Sequence, residues 1–433
     1  MTGATVHRLG ITQGTALYVG GILGPGVLAL PGLAAAAAGP ASVVAWVGLV
    51  ALSVPVAFTF AALGGRFPDG GGVAGFTARA FGPRLAAAVG WWFYFIVPIG
   101  VVAAALIGGE YVTAALGMGH STTLVTAAAL LIVAFAANHV GLRLSGPLQL
   151  VLAALLAALL VTAVLAAAPS VRADRFAPFV PYGWGGVGHA VSLLFFAFVG
   201  WEAGTHLSAD FADPRRQLPR VSALALIIVG TLYTGLAVTT VGVLGRGAAS
   251  SPVPLALLLQ HGIGRSANAV TAVAALFLTF GAINTYIASA ARLGAALARD
   301  GALPRPLAAG DAPGAVPRRS LALLGALTCA MMVATVVSRI DLDVLLRATG
   351  ACLAAVMVVG TAAAVRLLRG GAARATAVVA TVFTGVVLAL CGAFVLLPAG
   401  LAVAAMLRAG ARADDSASAG AESVTCPMPF RGP

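Results

Sequence analysis

The 433 residues are 60% hydrophobic and 9% charged, with a mean hydropathy of +1.02, whereas soluble domains carry about 25% charged residues. That balance excludes a soluble globular chain and describes a polytopic membrane protein. The net charge of +12 would suggest nucleic acid in a soluble chain, but the basic residues are all arginine and fall between apolar runs, as membrane topology requires. No nucleic-acid partner is expected, and the lipid bilayer is the first partner implied.

Spans follow from the charge-free intervals, because about 20 apolar residues cross a bilayer. Only His7 and Arg8 precede the first apolar run, so no cleavable signal peptide is expected. That run predicts two helices, about 12–37 and 41–63, parted by Ala38-Gly39-Pro40. From Arg66 to Arg84 the polar, glycine-rich RFPDGGGVAGFTARAFGPR reads as a loop carrying a short surface helix. Helices three and four extend to Arg143, with one acid, Glu110, and a Gly-Met-Gly-His-Ser turn between them. Helix five covers about 145–168, and a proline-rich external loop follows at 169–184.

Helices six to ten are placed at about 186–211, 221–244, 267–291, 320–338 and 344–365. The interval from Arg374 to Arg408 holds 33 uncharged residues and is assigned two helices, because Cys391-Gly392 and Pro398 favour a break. The chain then divides into a transmembrane domain, 1–408, and a disordered cytoplasmic tail, 409–433. Within the domain, 10–168 and 186–368 form two five-helix repeats, and 372–408 two extra helices. With the N-terminus inside, twelve helices put 19 arginines on the cytoplasmic side and six opposite, so both termini are expected on the cytoplasmic face of the inner (plasma) membrane. Cys329, Cys352, Cys391 and Cys426 show no metal or redox spacing; no disulfide framework, metal or cofactor is expected.

Two helices carry anomalies at mid-membrane. Gly20 to Pro31, GGILGPGVLALP, packs four glycines and two prolines into twelve residues. Glycine costs about 1 kcal/mol relative to alanine in a helix, and Pro25 removes an amide donor. Helix six carries Phe198-Val199-Gly200-Trp201-Glu202. Unpaired backbone inside a bilayer is tolerated only beside protein or a water-filled cavity, so these breaks imply a cavity, in the manner of a secondary transporter. Helices one and six occupy the same place in two successive sets of five, as an inverted repeat demands. The competing reading is that the glycines only allow close helix packing.

Half-helix N-termini offer amides to an anion and C-termini offer carbonyls to a cation, which suits a zwitterionic amino acid. Amides around Gly24, Gly26 and Val27 would take the carboxylate, with Pro25 supplying none; carbonyls around Phe196 to Val199 would take the ammonium. Aromatics Phe196, Phe198, Trp201 and Tyr286 would suit an aliphatic or thioether side chain.

A carboxylate at mid-membrane costs about 3 kcal/mol on insertion scales and is a functional candidate by default. Glu202 is that candidate, a proton carrier. On a helix Glu202, His206 and Asp210 share one face, which is either a proton path or a single proton site with His206 and Asp210 in a wet cytoplasmic vestibule or capping the next loop. Glu110 is either a snorkelling interfacial acid or an external gate or second proton site; His139 and His189 sit near helix ends as ordinary interfacial residues. DPRRQLPR, 213–220, is placed as a cytoplasmic anchoring loop.

Gly24-x-Gly26 followed by Pro31, Phe198-x-Gly200-x-Glu202, Asp213-Pro214-Arg215-Arg216-x-x-Pro219-Arg220 and Arg299-Asp300-Gly301-x-x-Pro304 together resemble the amino acid-polyamine-organocation (APC) superfamily. GGVAGFTARAFGPRLAAAVGWWFYFIVPIG and FAFVGWEAGTHLSADFADPRRQLPR are most similar to its bacterial exporters of methionine and branched-chain amino acids. The resemblance implies an all-α, LeuT-like fold of 5+5 inverted repeats with discontinuous helices 1 and 6, and coupling to protons or to substrate exchange. Carried over by position, Gly24, Gly26, Phe196, Val199 and Gly200 would line the site, Glu202 would be the proton-responsive acid, and Tyr286 would be an aromatic gate. Pro25 departs from the commoner small hydroxyl residue.

The reading is a proton-linked exporter of neutral or apolar amino acids such as methionine, leucine, isoleucine and valine. An importer or exchanger of the same fold is the alternative, and a non-transporting amino acid sensor a more distant one. No enzymatic role is expected: Glu202-x-x-x-His206 lacks the His-Glu-x-x-His pattern of a metalloprotease. Amino acid and proton are the partners implied, and the reading leaves room for a homodimer.

Overall fold

The computed structural model describes residues 9–68, 72–142, 146–202, 205, 208–264, 267–310 and 315–409; the predicted tail from 410 onward lies outside them. The first pass is broken as its glycines require. Helix α1, Ile11–Ile22, stops at Leu23, and Gly24 is extended at φ −103°, ψ 171°. Pro25 opens a 3-10 turn, Pro25–Leu28, a first-turn position where its missing amide costs nothing. Helix α2, Leu30–Ala38, completes the pass, and Gly39, at φ 60°, ends it.

Helix α3, Ser42–Arg66, is followed by the short surface helix α4, Gly72–Phe81, which buries Val73, Phe76 and Thr77. Helices α5, Pro83–Leu116, α6, His120–His139, and α7, Gly146–Ala167, complete the first five passes. The 169–184 stretch holds a 3-10 turn at Ala173–Phe176. The sixth pass is broken again: α8, Gly183–Leu194, tightens into a 3-10 turn, Phe195–Phe198, before Val199 turns extended and Gly200 takes φ 131°. The broken passes are five apart, the spacing of an inverted repeat.

Helix α9, Pro214–Thr239, begins seven residues before its predicted start. Asp213 caps it, its Oδ1 accepting from the Arg216 amide at 3.3 Å, and Pro214 is preorganised for the first turn. DPRRQLPR is therefore the capped start of a helix rather than a loop. Past a π-helical turn, Thr240–Leu244, comes an unanticipated short helix, α10, Pro254–Ile263, followed by α11, Ala267–Arg299, α12, Arg318–Val337, and α13, Leu342–Leu367. The last apolar interval forms two helices, α14, Gly371–Leu390, and α15, Gly392–Ala409, joined where Gly392 takes φ 59°.

Ten segments among the described residues are long and apolar enough to cross a membrane, one of them running from α2 into α3. With the two broken passes, the order is that of a twelve-pass all-α membrane protein. Small residues bring the halves of the broken passes together. At Gly186 of α8 a Cβ would lie 2.6 Å from Ala37 O of α2. At Gly14 of α1 it would meet the Phe211 ring at 2.6 Å, and Leu9 N donates to Asp210 O at 2.9 Å. Polar ties between passes, such as Asn138 Nδ2 to Asn284 Oδ1 at 2.7 Å and Trp92 Nε1 to Pro398 O at 2.8 Å, each contribute about 0.6 kcal/mol, at most about 1.7, in a bilayer.

Candidate functional site

The two chain breaks meet. A Cβ at Gly200 would lie 2.9 Å from Gly21 O, so only glycine allows this approach of backbone to backbone, and its positive φ makes the same demand. Breaking a helix orphans carbonyls, and two tyrosines from intact passes satisfy them. The Tyr233 hydroxyl of α9 donates to Ile22 O at 3.3 Å and to Ala197 O at 3.1 Å, one in each break. The Tyr111 hydroxyl of α5 donates to Leu28 O at 2.8 Å. Tyr233 is fully buried and locked by Trp46 and Phe198, with ring centroids 5.1 Å and 5.2 Å away.

Between the breaks lies a cavity of about 190 Å³. Gly24, Gly26, Val27, Phe196, Val199, Gly200, Glu202 and Tyr286 all line it. Helix α5 adds Phe93, Val97 and Gly100, and α13 adds Thr349 and Leu353. The Phe196 ring packs on Gly26, where a Cβ would sit 2.6 Å from it. Trp201 faces away from the cavity, 2% exposed, its indole nitrogen without a partner among the described residues. His206 lies outside the described residues. Asp210 is exposed in a 3-10 turn, Ser208–Asp210.

The amides of Gly24 and Gly26 have no backbone acceptor among the described residues, whereas the Val27 amide is turned onto Gly24 O at 3.3 Å. Two donors therefore remain at this end of the cavity. Opposite, Glu202 is 6% exposed, and its Oε2 accepts the Gly200 amide at 2.9 Å, folding the carboxylate back onto the break. Its carbonyl accepts from Thr205 Oγ1 at 2.6 Å, and Thr205 O takes the Ser208 hydroxyl at 2.7 Å, so a short hydroxyl ladder carries the chain onward.

Glu110 does not line this cavity and lies 3.8 Å from the exposed His120. His189 is not an isolated interfacial residue: its Nε2 lies 2.9 Å from Asp343 Oδ1, and Arg347, beside the same carboxylate at 3.8 Å, also donates to Ser192 Oγ at 3.3 Å. This cluster joins α8, which leads into the sixth-pass break, to α13, which lines the cavity. Sequence reading missed Tyr111, Tyr233, Thr349 and Leu353. The two tyrosines had a signal: each is a polar hydroxyl deep in an apolar pass, which must find an acceptor.

Two broken passes around one small apolar cavity form the arrangement of a secondary transporter, and the amino acid permease family profile matches residues 9–408. The chain belongs to the amino acid permease family. An uncharacterized amino acid permease of Bacillus subtilis (strain 168), YecA, is 35% identical over 356 residues, 82% of this chain and 84% of the relative. The L-methionine/branched-chain amino acid exporter YjeH of Escherichia coli (strain K12) is 34% identical over 293 residues, 66% and 69% of the two chains. The branched-chain amino acid permease BcaP of Bacillus subtilis is 25% identical over 320 residues. This permease is thus a multi-pass transporter of the APC type and not an enzyme.

Proposed function

We propose that this permease exports neutral or apolar amino acids, such as methionine, leucine, isoleucine and valine, in exchange for protons. One observation supports the reading above the others: the breaks enclose a cavity whose lining is apolar except for backbone groups, Glu202, Tyr286 and Thr349. With one carboxylate and no basic side chain in the lining, the cavity offers nothing to a second substrate carboxylate. Its volume is below the roughly 300 Å³ at which pockets for drug-sized ligands begin, which suits a single amino acid. The free amides of Gly24 and Gly26 receive the α-carboxylate, carbonyls at the Phe195–Phe198 turn receive the ammonium, and Phe196, Val199 and Leu353 contact the side chain. Glu202 carries the proton, so that its charge state alters the hold on the Gly200 amide and hence the closure of the break. The resemblance to the methionine and branched-chain exporter supports both substrate class and direction, and the arginine distribution supports cytoplasmic termini.

The test is flux of labelled methionine and leucine from proteoliposomes of the purified protein, with and without an imposed pH gradient. Gradient-dependent efflux is the expected result. Exchange indifferent to the gradient would replace proton-linked export with the exchanger reading, and uptake driven by the gradient would reverse the direction.

A further inference from the structure

A second cavity, of about 560 Å³, lies away from the chain breaks, in a groove between α6 and α12. Its walls are apolar. Gly325 faces the Phe135 ring within it, and an added Cβ there would meet the ring at an ordinary contact distance of 3.7 Å. Both flanks face outward, Ile132 being 69% and Val333 55% exposed, so the groove opens where hydrocarbon would surround the protein.

The polar groups of the groove gather at one end. His139 is the last residue of α6 and Arg318 the first of α12; both line the groove and are exposed. Neither side chain makes an ion pair or hydrogen bond among the described residues. From Arg318 to Cys329, which lines the groove further in, α12 rises by about 16 Å at about 1.5 Å per residue. That is the depth of one leaflet, half of a hydrocarbon core about 30 Å thick. A ligand that fits must have an apolar chain one leaflet long and a negative head at the membrane edge.

We propose that this groove binds an anionic phospholipid, one acyl chain lying between α6 and α12 and the headgroup phosphate held by Arg318 and His139. Basic pockets between membrane helices are suited to such headgroups. The site is separate from the substrate cavity. By wedging α12 against α6 it sets the packing of the ninth pass, beside the eighth pass that carries Tyr286.

Cys329 is a built-in reporter, since it is exposed in the groove while Cys352 and Cys391 are buried. Full-length protein carrying Cys426→Ser is placed in nanodiscs of phosphatidylcholine alone or with phosphatidylglycerol, and alkylation of Cys329 by a small maleimide is followed by intact mass. Phosphatidylglycerol is expected to slow alkylation, Arg318→Gln to reduce that protection about fivefold, the weight of one cation at an anionic lipid surface, and His139→Gln, which removes a ring N–H donor to the phosphate, to reduce it by a smaller factor. Equal protection by both lipids, or undiminished protection in the double variant, would overturn the proposal, as would protection that follows protein density rather than phosphatidylglycerol, which would make a second copy the occupant. Should the double variant fold poorly, Gly325→Leu fills the groove instead and is expected to abolish the difference between the two lipids; a difference that survives it would place the lipid elsewhere.

Discussion

Tyr233→Phe isolates the hydroxyl that ties the two chain breaks together. The ring stays, held by Trp46 and Phe198, so packing is conserved and only the bonds to Ile22 O and Ala197 O are lost. Both bonds share one donor and are long, 3.3 Å and 3.1 Å. A neutral bond contributes about 0.5–1.5 kcal/mol and one between membrane helices about 0.6, but a buried carbonyl left unpaired costs about 1–3. We expect Tyr233→Phe to lose about 1–2 kcal/mol, and Tyr233→Ala, which also opens a cavity, about 3–5. Because Ile22 and Ala197 both line the cavity, the Phe variant is also expected to lower labelled-methionine flux. Thermal unfolding in detergent and proteoliposome flux provide the two readouts. If Tyr233→Phe matches the unsubstituted protein in both while Tyr233→Ala does not, the breaks are held by packing alone and the bridging argument fails.

Glu202→Gln keeps a carbonyl oxygen for the Gly200 amide, so the variant is expected to fold with a loss of about 1 kcal/mol or less while flux loses its pH dependence and exchange persists; full pH-dependent flux would refute the proton role. Gly200→Ala combines a φ of 131° with a Cβ 2.9 Å from Gly21 O; backbone strain of this kind costs about 1–3 kcal/mol, and a variant with unchanged melting temperature and flux would contradict the described approach of the breaks. Asp343→Asn removes the carboxylate shared by His189 and Arg347, side chains 40% and 19% exposed. Solvent screening limits the Asp343–Arg347 coupling to about 1 kcal/mol in a double-mutant cycle with Arg347→Gln, and a coupling well above that would mean the cluster is effectively dry.

Composition and periodicity alone made the chain a membrane protein of about twelve passes, because hydrophobic length is a local property that a bilayer reads residue by residue. Gly24-Pro25-Gly26 and Val199-Gly200 announced the two breaks for the same reason: glycine and proline act on their own backbone. The start of α9 was written locally too, in the Asp213-Pro214 cap, though charge made it look like a loop. What tertiary structure decided is which groups meet at the breaks. Residues Ile22, Ala197 and Tyr233 come together from three different passes, and no pattern in the chain fixes which pass supplies the hydroxyl that an orphaned carbonyl requires. Trp201 and Glu202 are adjacent in sequence, yet only Glu202 lines the cavity, because φ at Gly200 sets the direction of the chain beyond it. The groove at Arg318 and His139 is likewise a product of assembly: each residue alone is an ordinary helix end, and only the packing of α12 beside α6 places the two at the mouth of one apolar channel.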